Sequence, residues 1–222
     1  MNPSELIQGT SEWLSYRAGK VTSSGICDLM ATTKSGDFST SRARYMAQLI
    51  RDRFALRVDP SYVPSRGYVN AAMQWGTNTE PLARSAYSLL FDCDVVQVGF
   101  VDHPNVPESG CSPDGLVGDN GLVEFKCPET HNHIQILLTE DLDREYIVQV
   151  QWQMACTGRL WCDLVSYDPR LEPRFQLFRK RIVRDDLVIK QYEDAVRIFL
   201  NALAVTMARL DEKYPLPEDM AA

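Results

Sequence analysis

The sequence predicts a mixed α/β (α+β) fold, a central mixed β-sheet flanked by helices. Three observations carry this. Apolar residues recur at helical spacing through the N-terminal segments and again in the last one. The middle of the chain is rich in β-branched residues and broken by a glycine-rich turn. The resulting order is helices, a block of strands, one helix, two strands and one helix, which suits helices packed on a sheet. With 45% hydrophobic and 24% charged residues, wholesale disorder is excluded. The 222 residues suit one domain over 1–214, followed by an acidic, proline-containing tail over 215–222 expected to fray.

Thr10 is placed to cap a short helix over Ser11–Gly19. Thr22, Ser23 and Ser24 precede a second, with Ile26, Leu29 and Met30 on one side. Thr32–Ser39 reads as a polar loop, and Ser41–Leu56 as a helix turning Tyr45, Leu49 and Phe54 to the core. Asp59–Gly67, with Pro60 and Pro64, reads as a loop. Ala71–Leu90 is helical with a fault at Pro81, so it either starts near Thr79 or bends there. Val95–Val101 reads as a strand. Gly115–Val117 and Leu122–Phe125 flank Gly118-Asp119-Asn120-Gly121, a hairpin signal. Asp143–Thr157 returns to helix, Leu160–Tyr167 and Phe175–Val183 to strand. Asp185 caps a final helix whose stripe is Leu187, Tyr192, Val196, Phe199, Leu203 and Leu210.

Several function classes fall away. No apolar run approaches the roughly 20 residues of a membrane span, and Met1–Gln8 lacks a secretory pattern. The cysteines at 27, 93, 111, 127, 156 and 162 form no C-x-x-C pair, so reduced thiols in the cytoplasm are expected and a zinc ribbon is not. The net charge of −7 argues against a protein that coats nucleic acid, yet leaves room for a local basic cleft.

The chemistry concentrates in Ser112-Pro113-Asp114-Gly115 and Glu124-Phe125-Lys126. Glu124 and Lys126, two apart on a strand, share a face. A two- or four-residue turn would pair position 114 with 125 and point Asp114 away. An odd loop or a bulge would restore convergence. Two carboxylates, with the Phe125 carbonyl as a third oxygen, suit a hard divalent cation, and Lys126 could position or deprotonate a water. A surface hairpin with an incidental ion pair would have the same spacing.

Seven blocks taken in order resolve that ambiguity. They are Gln8-Gly9-Thr10 with Trp13 and Arg17; Thr22-Ser23-Ser24; Trp75-Gly76 with Glu80; Cys111 to Leu116; Glu124 to Pro128; Tyr146 with Gln149-Val150-Gln151; and Tyr167-Asp168-Pro169. Together they resemble the phage lambda-type exonuclease family of recombination nucleases, within the restriction-endonuclease-like superfamily. The resemblance implies a restriction-endonuclease-like core. It implies Asp114, Glu124, the Phe125 carbonyl and Glu80 as metal ligands for Mg²⁺, two ions with Mn²⁺ as a substitute. Lys126 would be the catalytic lysine, with Gln149 and Tyr146 beside it, and Arg17, Ser24 and Ser112 would bind a terminal 5′-phosphate. Ser24 alone would otherwise read as a helix N-cap.

Other candidates are weighed by side-chain chemistry. Trp13 packs near the end base or fills the core. Met73 wedges the duplex or is core. Arg42, Arg44, Arg51, Arg53 and Arg57 form one basic cluster, and Arg179, Lys180, Arg181 and Arg184 a second; the first is favoured for DNA. Gln153 is left unassigned. His103, His131 and His133 receive no metal role, the last two falling in an expected loop after Pro128.

The expected function is a magnesium-dependent exonuclease degrading one strand of double-stranded DNA 5′ to 3′ and leaving 3′ single strands for phage-type recombination. The resemblance further implies a homotrimeric ring, a single-strand annealing partner and residence in a bacterial host's cytoplasm. The rivals are an endonuclease of the same fold and a non-catalytic scaffold that binds DNA ends.

Overall fold

The computed structural model describes residues 2–65 and 70–215. Gly67, the end of one expected loop, and residues 216–222 of the expected tail lie outside them. A five-stranded sheet has the order β2 (Val95–Val96), β5 (Gly115–Val117), β6 (Gly121–Lys126), β7 (Trp161–Tyr167), β8 (Leu177–Val183). Only β6 and β7 run parallel; the other pairs are antiparallel. That connection is made through α5 (Thr130–Thr139) and α6 (Arg144–Thr157), as a parallel pair requires. A smaller sheet, β1 (Val21–Thr22), β4 (Ser109–Cys111), β3 (Val101–Asp102), lies beside it.

Strand alternation assigns the large sheet's two faces. Leu122, Cys162 and Leu164 pack with Val150 and Met154 of α6. Val123, Phe125, Val165 and Tyr167 pack with Ala83 and Tyr87 of α4 (Ala71–Phe91). The third core joins α2 (Ile26–Met30), α3 (Thr40–Val58), α6 and α7 (Asp186–Lys213) through Ile26, Tyr45, Leu49, Trp152, Val196, Phe199 and Leu203. The expected caps are present: Thr10 accepts from the Trp13 N–H at the start of α1 (Ser11–Arg17), and Asp185 accepts from the Leu187 and Val188 N–H groups.

Five expectations are corrected. Val95–Val101 is two strands in different sheets, because the Gly99 and Phe100 N–H groups turn to the carbonyls of Ser4 and Pro3. A Cβ at Gly99 would lie 2.3 Å from the Leu6 carbonyl oxygen, so only glycine admits this approach. α4 does not start near Thr79; it runs through Pro81 unbroken. The segment holding His131 and His133 is helix α5, with His133 buried between the Ser166 hydroxyl at 2.7 Å and the Phe175 carbonyl at 2.8 Å. On α7, Leu187 is 78% exposed and Leu210 is exposed; Ile189 and Met207 hold buried places instead. Arg42 is buried, donating to the Leu29 carbonyl and stacked on Phe38. It belongs to the core rather than to a DNA-facing surface.

The β5–β6 hairpin leaves Gly118, Asp119 and Asn120 as its turn, with Gly118 at φ +51°. Gly121 opens β6 against the Trp161 ring, where an added Cβ would fall 2.1 Å from a ring carbon. The ring is itself covered by Arg181 at 3.5 Å. Gly121→Ala should therefore cost about 1–3 kcal/mol through overpacking, measured as a lower urea midpoint; an unchanged midpoint would show that the ring yields freely.

Candidate active site

The three-residue turn decides where Asp114 goes. Pairing of Val117 with Gly121, Leu116 with Leu122 and Gly115 with Val123 continues to place Asp114 opposite Glu124. Directly opposed residues share a face, so the odd-loop alternative holds and Asp114, Glu124 and Lys126 converge. Asp114 accepts from the Phe125 N–H at 2.7 Å. The Phe125 carbonyl leaves the strand on the same side as its N–H. Gln8 fixes the approach to Asp114 by donating to the carbonyls of Val98 at 2.8 Å and Pro113 at 2.9 Å.

α6 lies over this face. Glu124 is buried at 3% exposure, and its charge is met by donors. Oε1 receives Lys126 Nζ at 2.8 Å and Gln149 Nε2 at 2.6 Å; Oε2 receives Gln153 Nε2 at 2.8 Å. Lys126 also donates to the Gln149 side-chain oxygen at 3.1 Å and sits 4.7 Å from the centre of the Tyr146 ring. Gln149 and Tyr146 thus both lie at the lysine. Gln153, unassigned from sequence, is also in the cluster; its only sequence signal is its place one turn beyond Gln149.

Glu80 approaches from α4 and pairs with Arg84. Burial pushes the Glu80 carboxyl above its ordinary value, opposed by Arg84 and reinforced by Glu124. Burial, then Glu124 and Glu80, raise Asp114 well above the usual carboxylate range. Burial works against the Lys126 charge, but Glu124 and Asp114 outweigh it and hold the lysine above its ordinary value. Burial pushes the Cys127 thiol up to about 12, with Glu80 and Asp114 adding to it, so it is no nucleophile at neutral pH. The three carboxylates are short of positive charge despite Lys126 and Arg84. An all-oxygen donor set in that state fits a hard divalent cation. Among the described residues no three His, Cys, Asp or Glu side chains are gathered into a ready cage, since Glu80 is turned to Arg84 and Asp114 to the backbone.

A second group lies beside it. Trp13 is buried and donates to the Ser112 hydroxyl at 3.0 Å, while Arg17 stacks on its ring at 4.2 Å. Arg17 has no carboxylate partner among the described residues, and burial lowers its pKa. It borders a cavity of about 170 Å³ that Lys20, Gln48 and Arg51 also line. Thr22 and Gly110 pair on parallel strands, and Ser24 and Ser112 lie two residues beyond each, Ser24 in the 3-10 turn that ends β1. Ser24 is exposed in a 3-10 turn before α2 and makes no capping bond, which removes the N-cap reading.

The basic clusters are largely spoken for. Arg51 pairs with Asp52, Arg53 with Glu108 and Arg57 with Asp211, leaving Arg44 exposed and without an ion pair among the described residues. In the second, Arg179 and Arg181 face the buried Asp163, Arg184 pairs with Asp186, and Lys180 donates to the Glu140 carbonyl. Met73 is 56% exposed, so it is not core.

A mixed sheet whose central hairpin presents two carboxylates and a lysine between flanking helices is the arrangement of the restriction-endonuclease-like nucleases. Residues 12–160 match the model of the YqaJ-like viral recombinase domain. Among solved structures, an alkaline exonuclease (LHK-Exo) from Laribacter hongkongensis is 46% identical, with a TM-score of 0.82 and coverage of 92% of this chain and 97% of that one. LHK-Exo in complex with dAMP matches equally. A phage related exonuclease from Haemophilus somnus 129PT, 14% identical over 85% of this chain and 96% of that one, has a TM-score of 0.62 and shares the fold. No curated protein matches. The chain belongs to the YqaJ-like viral recombinase family.

Asp168 ties the end of β7 to this region. Burial opposes its charge, but hydrogen bonds from Arg170 and Thr130 prevail and hold it at about 2. Arg170 in turn covers Trp75 at 4.1 Å. A depressed carboxyl stabilises the fold above its ordinary value of 3.8 and ceases to do so as pH falls towards 2. Over pH 5 to 2, acid unfolding should lose about 2 kcal/mol through this group. Asp168→Asn should flatten that part of the stability curve, and an unaltered slope would assign the acid sensitivity elsewhere.

Proposed function

We propose that this chain is a magnesium-dependent exonuclease that degrades one strand of double-stranded DNA from its ends, 5′ to 3′, leaving 3′ single strands for recombination by strand annealing. The observation that carries the reading is the placing of Asp114 opposite Glu124, with Lys126 bound to Glu124 and Gln149. The family and the 46% identical alkaline exonuclease support a nuclease acting in recombination. The binding of dAMP, a mononucleotide, by LHK-Exo is consistent with release of single nucleotides.

Asp114, Glu124, the Phe125 carbonyl and Glu80 would hold the Mg²⁺. The ion would lower the pKa of a bound water and offset charge on the phosphate. Lys126, kept as a cation by Glu124 and Asp114, orients a water through its remaining N–H and opposes the negative charge that grows on the phosphate. Gln149 holds the ammonium in place, and Tyr146 limits its movement. Arg17, over the Trp13 ring and without a carboxylate partner among the described residues, offers a fork for a terminal phosphate, with the Ser112 hydroxyl bound to the same tryptophan and the exposed Ser24 hydroxyl as further donors. Arg44, Arg51 and Met73 are exposed where a duplex could meet them. A ring of three copies and an annealing partner form part of the same proposal, on family resemblance.

A time course on end-labelled linear duplex should show metal-dependent mononucleotide release from 5′ ends and no cutting of closed circles. Release from 3′ ends, or cleavage of circles, would replace this reading with another polarity or an endonuclease. Lys126→Ala should lower kcat by at least about 100-fold while duplex binding persists; undiminished release would remove the lysine from the mechanism. Arg17→Ala should slow 5′-phosphorylated ends more than 5′-hydroxyl ends, whereas equal loss on both would refute the phosphate site.

A further inference from the structure

Gln153 is wholly buried at 0% exposure on α6, two helical steps along the row that carries Tyr146 and Gln149. Its amide nitrogen donates to Glu124 Oε2 at 2.8 Å. Its amide oxygen is buried and has no partner among the described residues. A side chain kept for stability alone would not leave an acceptor unpaired at that depth, where the loss is not offset by water. Turning the amide over would set its oxygen against an ionised carboxylate, so the donor is committed to Glu124 and the unpaired oxygen follows from that commitment.

The two oxygens of Glu124 are served unequally. Lys126 and Gln149 both reach Oε1, and both are joined to one another. Oε2 has Gln153 as its one side-chain donor among the described residues. Two donors anchor Oε1 and restrain the carboxylate at one point, about which its plane can still tilt. A third donor on the other oxygen supplies a second anchoring point and fixes that plane. We propose that Gln153 is a positioning residue for Glu124, fixing the plane of the carboxylate so that it meets a divalent cation in one orientation. This rests on the metal-binding role of Glu124 proposed above.

The test is a double-mutant cycle read by calorimetric titration of the DNA-free protein with MgCl2 and by thermal melting without metal. Gln153→Met keeps the volume and removes the donor; Gln153→Asn keeps the amide but draws it back by one methylene. Each should weaken Mg²⁺ binding by about 10–100-fold, the usual effect of losing a group that orients a metal ligand. Each should also lower the melting temperature, because Glu124 loses a buried donor and Asn leaves a methylene-sized gap, so the Mg²⁺ titrations are compared at a temperature where every variant is folded. In a Glu124→Gln background the same changes should have no further effect on Mg²⁺ binding. Unaltered Mg²⁺ affinity in both variants, or an equal loss in the Glu124→Gln background, would overturn the proposal while leaving the metal role of Glu124 intact. A wild-type protein that takes up no Mg²⁺ and degrades DNA without it would overturn both.

Discussion

A buried anion organises this molecule. Glu124 sits near the end of the central strand at 3% exposure, where an ionised carboxylate is tolerated only with several donors around it. The strand itself supplies one, Lys126. The rest come from α6, whose Gln149 and Gln153 face the sheet where a helix of ordinary core would carry aliphatic residues. The helix is therefore held to the sheet by polar contacts at the level of Glu124 and by Val150 and Met154 against Leu122 and Leu164 below it. Packing and chemistry share one interface.

Crowding of charge gives that interface its character. Burial and the neighbouring Glu124 raise the proton affinity of Glu80 and Asp114, and Glu124 with Asp114 holds Lys126 as a cation. Arg84 and Lys126 relieve the field only in part. Such a site is costly to maintain and is the sort of arrangement that functional centres retain. The neighbouring cluster has the opposite sign: Arg17 lies on Trp13 with no carboxylate partner among the described residues. A cationic arginine on one side and a cation-seeking centre on the other suit a phosphodiester substrate. That complementarity does not depend on the net charge of −7, which is spread over the rest of the surface.

The basic clusters show how charge in a sequence differs from charge at a surface. Five arginines on one helix suggest a DNA-facing stripe. In the fold, Arg42 is drawn inside to the Leu29 carbonyl, and Arg51, Arg53 and Arg57 meet Asp52, Glu108 and Asp211. Arg53 and Arg57 take acids far away along the chain. The histidines teach the same lesson: Pro128 suggests a loop, yet helix α5 begins two residues after it and carries His133 into the interior.

Local spacing was enough to determine the helices with strong caps, the mixed sheet, the hairpin and the blocks that mark the family. Thr10, Asp143 and Asp185 act through bonds a few residues long, and alternation puts Glu124 and Lys126 on one face whatever surrounds them. The tertiary structure decided what depended on distant partners or on a single residue of parity. A turn of three residues rather than four sets Asp114 opposite Glu124, and neither count is favoured by the glycines alone. The division of Val95–Val101 between two sheets came from the N-terminal carbonyls of Pro3 and Ser4, and the role of Gln153 from a carboxylate on another element. Short-range bonds are written in neighbouring residues; long-range pairing is settled only when the chain closes on itself.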